Sequence, residues 1–326
     1  MLFIDNESVT DPRINLAIEE YSLRNLLAKE PILFFYINEP TVIIGRNQNA
    51  LEEIDPEYVR NQGIHIVRRL SGGGAVYHDL GNLNYSFITQ GTENLHNFAK
   101  FTDPVIKMLS QFGVDAELRE RSSIFAMGKK ISGNAQYMAS GRMFSHGTLL
   151  FDTNLEEMLK ALNPRQLQIE SKAVQSVRNL VLNLREHLPE GMDIEQLKQE
   201  LLNGIFEGDL RRCRLTAGDW DQIHRISAER YRQWDWNIGR APKFNVKKSA
   251  RFAVGKIDAH IDIEKGRIQS MKFHGDFAGK AFVSELEQQL LGIRYDKDAL
   301  GLTLEDIDIT HYFGDLGKQA LLDLLY

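Results

Sequence analysis

Apolar residues recur at helical spacing at Ile14, Ala17, Ile18 and Tyr21, behind Asp11-Pro12. An N-capping acid followed by proline at the first helical position predicts a helix over about 12–29. Two runs rich in β-branched and aromatic residues follow, at 32–37 and 41–44, and predict strands. Asp55-Pro56 repeats the helix-start signal and Gly63 supplies a closing glycine. Further strands are expected at 64–68, 75–78 and 83–89, and a helix over about 97–112. From 114 to 151 the pattern is a meander of short strands, punctuated by turn chemistry at Gly128-Lys129 and Ser140-Gly141-Arg142. Helical spacing returns from about 154 to 232, as in Ile194, Leu197, Leu201, Leu202 and Ile205. Gly239-Arg240-Ala241-Pro242 then reads as a linker, before strand alternation at 252–263 and 268–273 and a closing pair of helices. Strands first and helices later favour an α+β class over a doubly wound sheet. The expected division is a large domain over 1–243 and a small α+β domain over 244–326.

Composition narrows the functional classes. The 326 residues are 43% hydrophobic, enough to bury a full core without disulfides. Lys and Arg number 39 against 45 Asp and Glu, a net charge of −6. That balance argues against a dedicated nucleic-acid binder, which needs a basic field, but leaves room for a local basic pocket. The one cysteine, Cys213, excludes a disulfide framework and a Cys-rich metal site, and suits a reducing cytoplasm. No apolar run approaches the length of a membrane span and the N-terminus lacks a signal-peptide pattern, so a cytoplasmic protein is expected. The nine histidines are scattered without a zinc-ligand spacing, so no protein-only metal site is expected.

Three segments carry chemistry. In Arg68-Arg-Leu-Ser-Gly-Gly-Gly-Ala-Val-Tyr-His-Asp79, three consecutive glycines between strands allow close backbone approach to a ligand, and the arginine pair suits phosphate or carboxylate. The segment is neither a Rossmann fingerprint nor a P-loop. In Gly128-Lys-Lys-Ile-Ser-Gly-Asn-Ala-Gln136, a lysine opening a strand can set a compact positive charge beside an oxyanion. The third is a strand histidine, in His146-Gly-Thr-Leu-Leu150. Each alone would pass for a turn, a solvated pair or a packed histidine; their order and spacing together are far more specific.

These segments, with Ser176-Val-Arg178 and Trp236-Asn-Ile-Gly239, resemble the lipoate–protein ligases, within the group that includes biotin–protein ligases. The resemblance implies a large biotin/lipoyl-ligase-like catalytic domain with mixed and antiparallel sheets, flanked by helices, and a small accessory domain. It also implies a two-step reaction. Lipoate attacks the α-phosphate of ATP to give an acyl-adenylate. A lysine of an acceptor lipoyl domain, on an E2 subunit or a glycine-cleavage H-type protein, then displaces AMP. By similarity Lys130 is the catalytic residue, bridging carboxylate and phosphate. Arg69, Gly74, Ala75, Val76 and Tyr77 would join Lys130 in holding ATP. Gly72, Gly73, His78, Asn84 and His146 would join it around lipoate. Mg²⁺ is expected only as the partner of ATP, with no permanently bound cofactor.

Two departures stand out. Where the family usually has Asn-Asp after Arg121, this chain has Ser122-Ser123, and Leu180 and Leu182 replace polar residues of the family's run after Arg178. They leave open a specialised paralogue that binds lipoate or acceptor with weak or no adenylation. Two other readings compete: a lipoyl or octanoyl transferase working through Cys213, and a biotin ligase, which would lack the long C-terminal domain. Trp234 and Trp236 are expected at the domain junction, and Arg211-Arg212 and Lys247-Lys248 on solvated faces.

Overall fold

Alternation along the central strands splits their side chains between two faces, and this split places both the core and the cavity. In the computed structural model, residues 1–26, 29–162, 180–240, 243–277 and 279–326 are described. They form two compact units, Met1–Gln233 and Trp234–Tyr326, so the division falls ten residues before the linker-based boundary. The Ser176-Val-Arg178 match lies outside the described residues.

The first unit is built on strands β1 (Leu2–Ile4), β2 (Ile32–Ile37), β3 (Thr41–Ile44), β4 (His65–Arg68), β5 (Val76–His78), β6 (Asn82–Gln90), β7 (Ala116–Arg119), β8 (Ser123–Ala126), β9 (Lys129–Ala139), β10 (Arg142–Leu150) and β11 (Arg212–Cys213). Eight of them form a mixed sheet in the order β11-β1-β2-β6-β10-β9-β8-β7; β4-β3-β5 form a small second sheet. Leu33, Phe35, Leu83, Tyr85, Phe87, Met143 and Leu149 point to one face of the large sheet. There they pack with Phe101, Val105 and Leu109 of the helix Ala99–Gln111 and with Leu197 and Leu201 of Ile194–Ile205. The intervening residues, Phe34, Tyr36, Asn84, Ser86, His146 and Thr148, take the opposite face.

That second face is approached by helix α1 (Pro12–Arg24), which touches β6 and β10. Asp11 caps α1 by accepting from Arg13 N, with Pro12 in the first turn, as the sequence predicts. The helix is buried nearly all round and ends at Arg24, earlier than its apolar pattern suggests. Tyr21 and Glu20 tie it to the chain between Ala217 and Tyr231: Tyr21 donates to Asp219, and Glu20 accepts from Tyr231 at 3.0 Å and pairs with Arg230 at 3.1 Å.

Other expectations need correction. The segment around Cys213 is not helical: Arg212 and Cys213 form a two-residue strand parallel to β1. A strand that short leaves no periodic signal. In the second unit, strands β12 (Phe244–Phe252), β13 (Gly255–Glu264) and β14 (Arg267–Gly275) form an antiparallel sheet that begins earlier than expected. Four short helices close the unit rather than two: Val283–Gln289, Lys297–Glu305, Ile309–Phe313 and Lys318–Leu325. Asp296 and Asp308 start new helices as N-caps, and Gly314 at φ +79° stops the third. Trp234 and Trp236 belong to this unit, with Arg294 over the first ring at 4.8 Å and Arg240 over the second at 4.7 Å.

Candidate active site

Where α1, the small sheet and the second face of the large sheet converge, a cavity of about 230 Å³ opens. Its floor is a row of cross-strand neighbours: Tyr36 pairs with Asn84, and Asn84 with Thr148. Gly133, whose N–H donates to Thr148 Oγ1 at 3.2 Å, and its partner Ser123 continue the row. Leu16 of α1 and Ile43, Val76 and His78 of the small sheet form other walls. Tyr36 on β2 and Lys130 on β9 are three strand spacings apart in the sheet order, roughly 14 Å. The cavity is therefore elongated across the strands.

Nine of the residues singled out in the sequence line this one cavity: Lys130, Arg69, Gly73, Gly74, Ala75, Val76, His78, Asn84 and His146. Tyr77 does not. It alternates with Val76 and His78 on β5 and borders a separate groove with Pro40, Ile64 and Leu80. Gly72 also lies outside the lining; its carbonyl accepts from Arg69 at 2.7 Å. Ser122 and Ser123 border the cavity, the Ser122 carbonyl accepting from Asn134 N at 2.9 Å. No carboxylate lines it among the described residues.

The charges present suit an anionic occupant. Lys130 is partly buried, its Nζ beside Gly133. Burial lowers its pKa and Glu120 opposes the shift. No ion pair or side-chain hydrogen bond engages its ammonium among the described residues. An unpaired, partly desolvated ammonium favours a ligand that brings negative charge.

Arg69 is only 6% exposed. Burial brings its pKa down to about 10, against Tyr36 and Glu19, so it stays charged at neutral pH. Its guanidinium does not reach out for a ligand: Nη2 donates to the carbonyls of Gly72 (2.7 Å) and Gly74 (2.8 Å), Nη1 to Ile43 O (3.2 Å), and Nε to Ser71 Oγ (3.0 Å). Arg68 is equally committed. Fully buried, it donates through Nη1 to the carbonyls of Gly45, Arg46 and Gln48. Gly73, at φ +93°, is packed so closely on that turn that a Cβ on Gly45 would sit 2.0 Å from its carbonyl oxygen. The arginine pair thus builds the glycine loop and its platform.

His78 is held neutral, its pKa pushed down to about 3 by burial, with Arg69 and His146 adding to the shift. Asn15 donates to Asn38 Oδ1 at 2.9 Å, which leaves the Asn38 amide N–H to donate to His78 Nδ1 at 3.0 Å. That fixes the remaining proton on Nε2, which has no partner among the described residues.

Sequence reasoning missed Leu16, Tyr36, Ile43 and Thr148, which line the cavity, and Glu19, which bonds His146 Nδ1 at 2.9 Å. Glu19 left one trace in the sequence, as the first of two adjacent acids that follow the apolar stretch Leu16-Ala17-Ile18. Tyr36 left none, because a tyrosine within an aromatic strand reads as core.

This cavity, bounded by a glycine loop and a strand lysine, can be set against known proteins. The lipoyl protein ligase A/B catalytic domain family matches residues 11–206, and the bacterial lipoate protein ligase C-terminus family matches 241–325. The chain belongs to the lipoate–protein ligase family. It is 50% identical to the lipoate-protein ligase LplJ of Bacillus subtilis strain 168 and 44% identical to lipoate–protein ligase 1 of Staphylococcus aureus strain Mu50, with 100% of both chains covered in each case. Among solved structures, the Thermoplasma acidophilum bi-partite lipoate protein ligase, described with its E2 lipoyl domain, superposes with a TM-score of 0.66 at 29% identity. That match covers 75% of this chain and 98% of the other. A lipoate-protein ligase A bound with ATP gives 0.62 at 30% identity, over 74% and 98%. The α+β class and the ligase family expected from the motifs are both borne out.

Proposed function

We propose that this ligase joins lipoate to a lysine of an acceptor lipoyl domain in two steps at the cavity, with Lys130 as the charge common to both. The observation that carries this reading is a Lys130 ammonium with no ion-pair partner among the described residues, on the wall of a cavity that also contains the glycine loop and, among those residues, no carboxylate. In the first step a lipoate carboxylate oxygen attacks the α-phosphorus of ATP and pyrophosphate leaves. Lys130 offsets the repulsion between the two anions as they approach, and stabilises the charge that builds between them. In the second, the acceptor ε-amine attacks the acyl carbon and AMP leaves; the amine gives up a proton as the amide forms. No enzyme nucleophile is required. Gly73, Gly74, Ala75 and Val76 would take the nucleotide, with Tyr77 and Gly72 supporting the loop from outside the cavity lining. The acyl chain would lie along the row toward Asn84 and Tyr36, between His78 and His146. Mg²⁺ would arrive as part of the nucleotide substrate. Incubation with ATP, Mg²⁺, lipoate and a panel of lipoyl domains, read by intact mass, tests the reading: addition of one lipoyl mass to an acceptor supports it, and no addition to any acceptor contradicts it.

A thioester transferase reading is not favoured. Cys213 lies on β11 at the outer edge of the large sheet and is no part of the cavity lining. Burial and Asp219 push its thiol pKa up, the opposite of what a nucleophile needs. Cys213→Ala is expected to retain full lipoylation; loss of activity at unchanged stability would reinstate the thiol.

The serine pair allows a sharper test. Ser123 is 5% exposed and pairs with Gly133, whose Cβ position lies 3.4 Å from Lys130 Nζ. Replacing Ser122-Ser123 by Asn-Asp would bring a carboxylate to that wall. It is expected to raise the rate of lipoate-dependent pyrophosphate release. An unchanged or lower rate would show that the serine site is complete as it stands.

A further inference from the structure

A buried polar chain runs from α1 to the glycine loop, and two of its members, Glu19 and Ser71, have no role assigned above. Glu19 Oε1 bonds His146 Nδ1 at 2.9 Å, His146 Nε2 bonds Ser71 Oγ at 2.7 Å, and Arg69 Nε donates to Ser71 Oγ at 3.0 Å. Every member is at most 8% exposed, and Ser71 is completely buried. The Glu19 carboxylate can only accept, so His146 Nδ1–H donates to it, and Ser71 Oγ, which accepts from Arg69 Nε, meets His146 at Nε2.

The arrangement of acid, imidazole and hydroxyl looks like a hydrolytic triad, but Ser71 is enclosed and is not part of the cavity wall. A nucleophile must reach substrate. What Ser71 does reach is Arg69, whose Nη2 draws in the carbonyls of Gly72 and Gly74. In a trans peptide the N–H points opposite to the C=O. Pulling those two carbonyls toward Arg69 therefore turns the Gly73 and Ala75 N–H groups away from it. Neither N–H has a hydrogen-bond partner among the described residues, and both residues line the cavity. Successive free N–H groups of this kind make an anion-binding concavity.

We propose that Ser71 and Glu19 are positioning residues for nucleotide binding: Ser71 directly, and Glu19 through His146 and Ser71, fix the Arg69 guanidinium, which in turn orients the glycine-loop N–H groups toward the phosphates of ATP. This inference rests on the ligase reading for the identity of its anion. Neither Ser71 nor Glu19 lines the cavity, so a change at either reaches substrate only through the chain.

The test measures the KM for ATP and for lipoate separately, and the Kd for ATP by titration calorimetry, in wild type, Ser71→Ala, Glu19→Gln and the double variant. Ser71→Ala is expected to weaken ATP by about tenfold, the scale of one charge-assisted buried hydrogen bond, and to raise the KM for lipoate by less, through His146. Glu19→Gln is expected to shift in the same direction by less. The double variant is expected to be no worse than Ser71→Ala, because both break one chain. Ser71→Thr, which retains the hydroxyl, is expected to bind ATP more tightly than Ser71→Ala. Unchanged ATP affinity, an equal loss for both substrates, or additive effects in the double variant would overturn the proposal. If Ser71→Ala does not fold, Glu19→Gln and Ser71→Thr carry the same comparison. A wild-type protein without lipoate-dependent pyrophosphate release would defeat the ligase reading instead, a result distinct from any of these.

Discussion

Lys130→Ala is expected to lower lipoyl-adenylate formation by about 10²–10³-fold, the cost of losing one preorganised donor at a developing charge. The fold should survive, because the ammonium is held by no ion pair among the described residues and burial already disfavours its charge. The measurement is lipoate-dependent pyrophosphate release, with thermal unfolding as a control. The expected pattern is lost release at a wild-type unfolding midpoint. Retained release would remove Lys130 from the reaction. A parallel loss of release and stability would make it a packing residue. Among the described residues no other lysine lines the wall, Arg69 donates to the loop carbonyls and His78 is neutral.

Arg68→Ala is expected to have the largest effect on stability. The side chain is 0% exposed and its Nη1 alone serves three carbonyls, those of Gly45, Arg46 and Gln48. Truncation leaves those acceptors dry and opens a cavity beneath the loop, at a cost of about 3–5 kcal/mol. For a unit the size of Met1–Gln233, that corresponds to a drop in Tm of roughly 6–10 °C. Calorimetry checks it. Arg68→Lys should recover little, because a single ammonium cannot reproduce the fork. A drop of less than about 2 °C in Arg68→Ala would mean that water takes over those carbonyls.

The arginine pair also shows what the sequence could and could not disclose. Arg68-Arg69 beside three glycines reads as an anion site, and Arg69, Gly73 and Gly74 do line the cavity; the guanidinium groups, however, face inward and build the loop. Residue type pointed to the cavity, while the direction of the Arg68 side chain depended on the turn at Gly45, more than twenty positions away in the chain, and that of Arg69 on the carbonyls of Ile43, Gly72 and Gly74. The strands of the first unit were legible because alternation is strong where one face meets a core and the other a cavity, as in Leu83, Tyr85 and Phe87 against Asn84 and Ser86. Arg212-Cys213 was illegible because two residues carry no period. The cavity was legible at its Lys130 and glycine-loop end, where unusual residue types are concentrated, and at the motif residues His78, Asn84 and His146. Its other end is made of Leu16, Tyr36 and Ile43, ordinary core residues until the fold brings them together.

The most direct test is a crystal structure with a non-hydrolysable lipoyl-adenylate analogue, inspected at one atom. Lys130 Nζ is expected within hydrogen-bonding distance of both the acyl carbonyl oxygen and an α-phosphate oxygen. An analogue bound in the cavity with that ammonium directed into bulk solvent would contradict the mechanism.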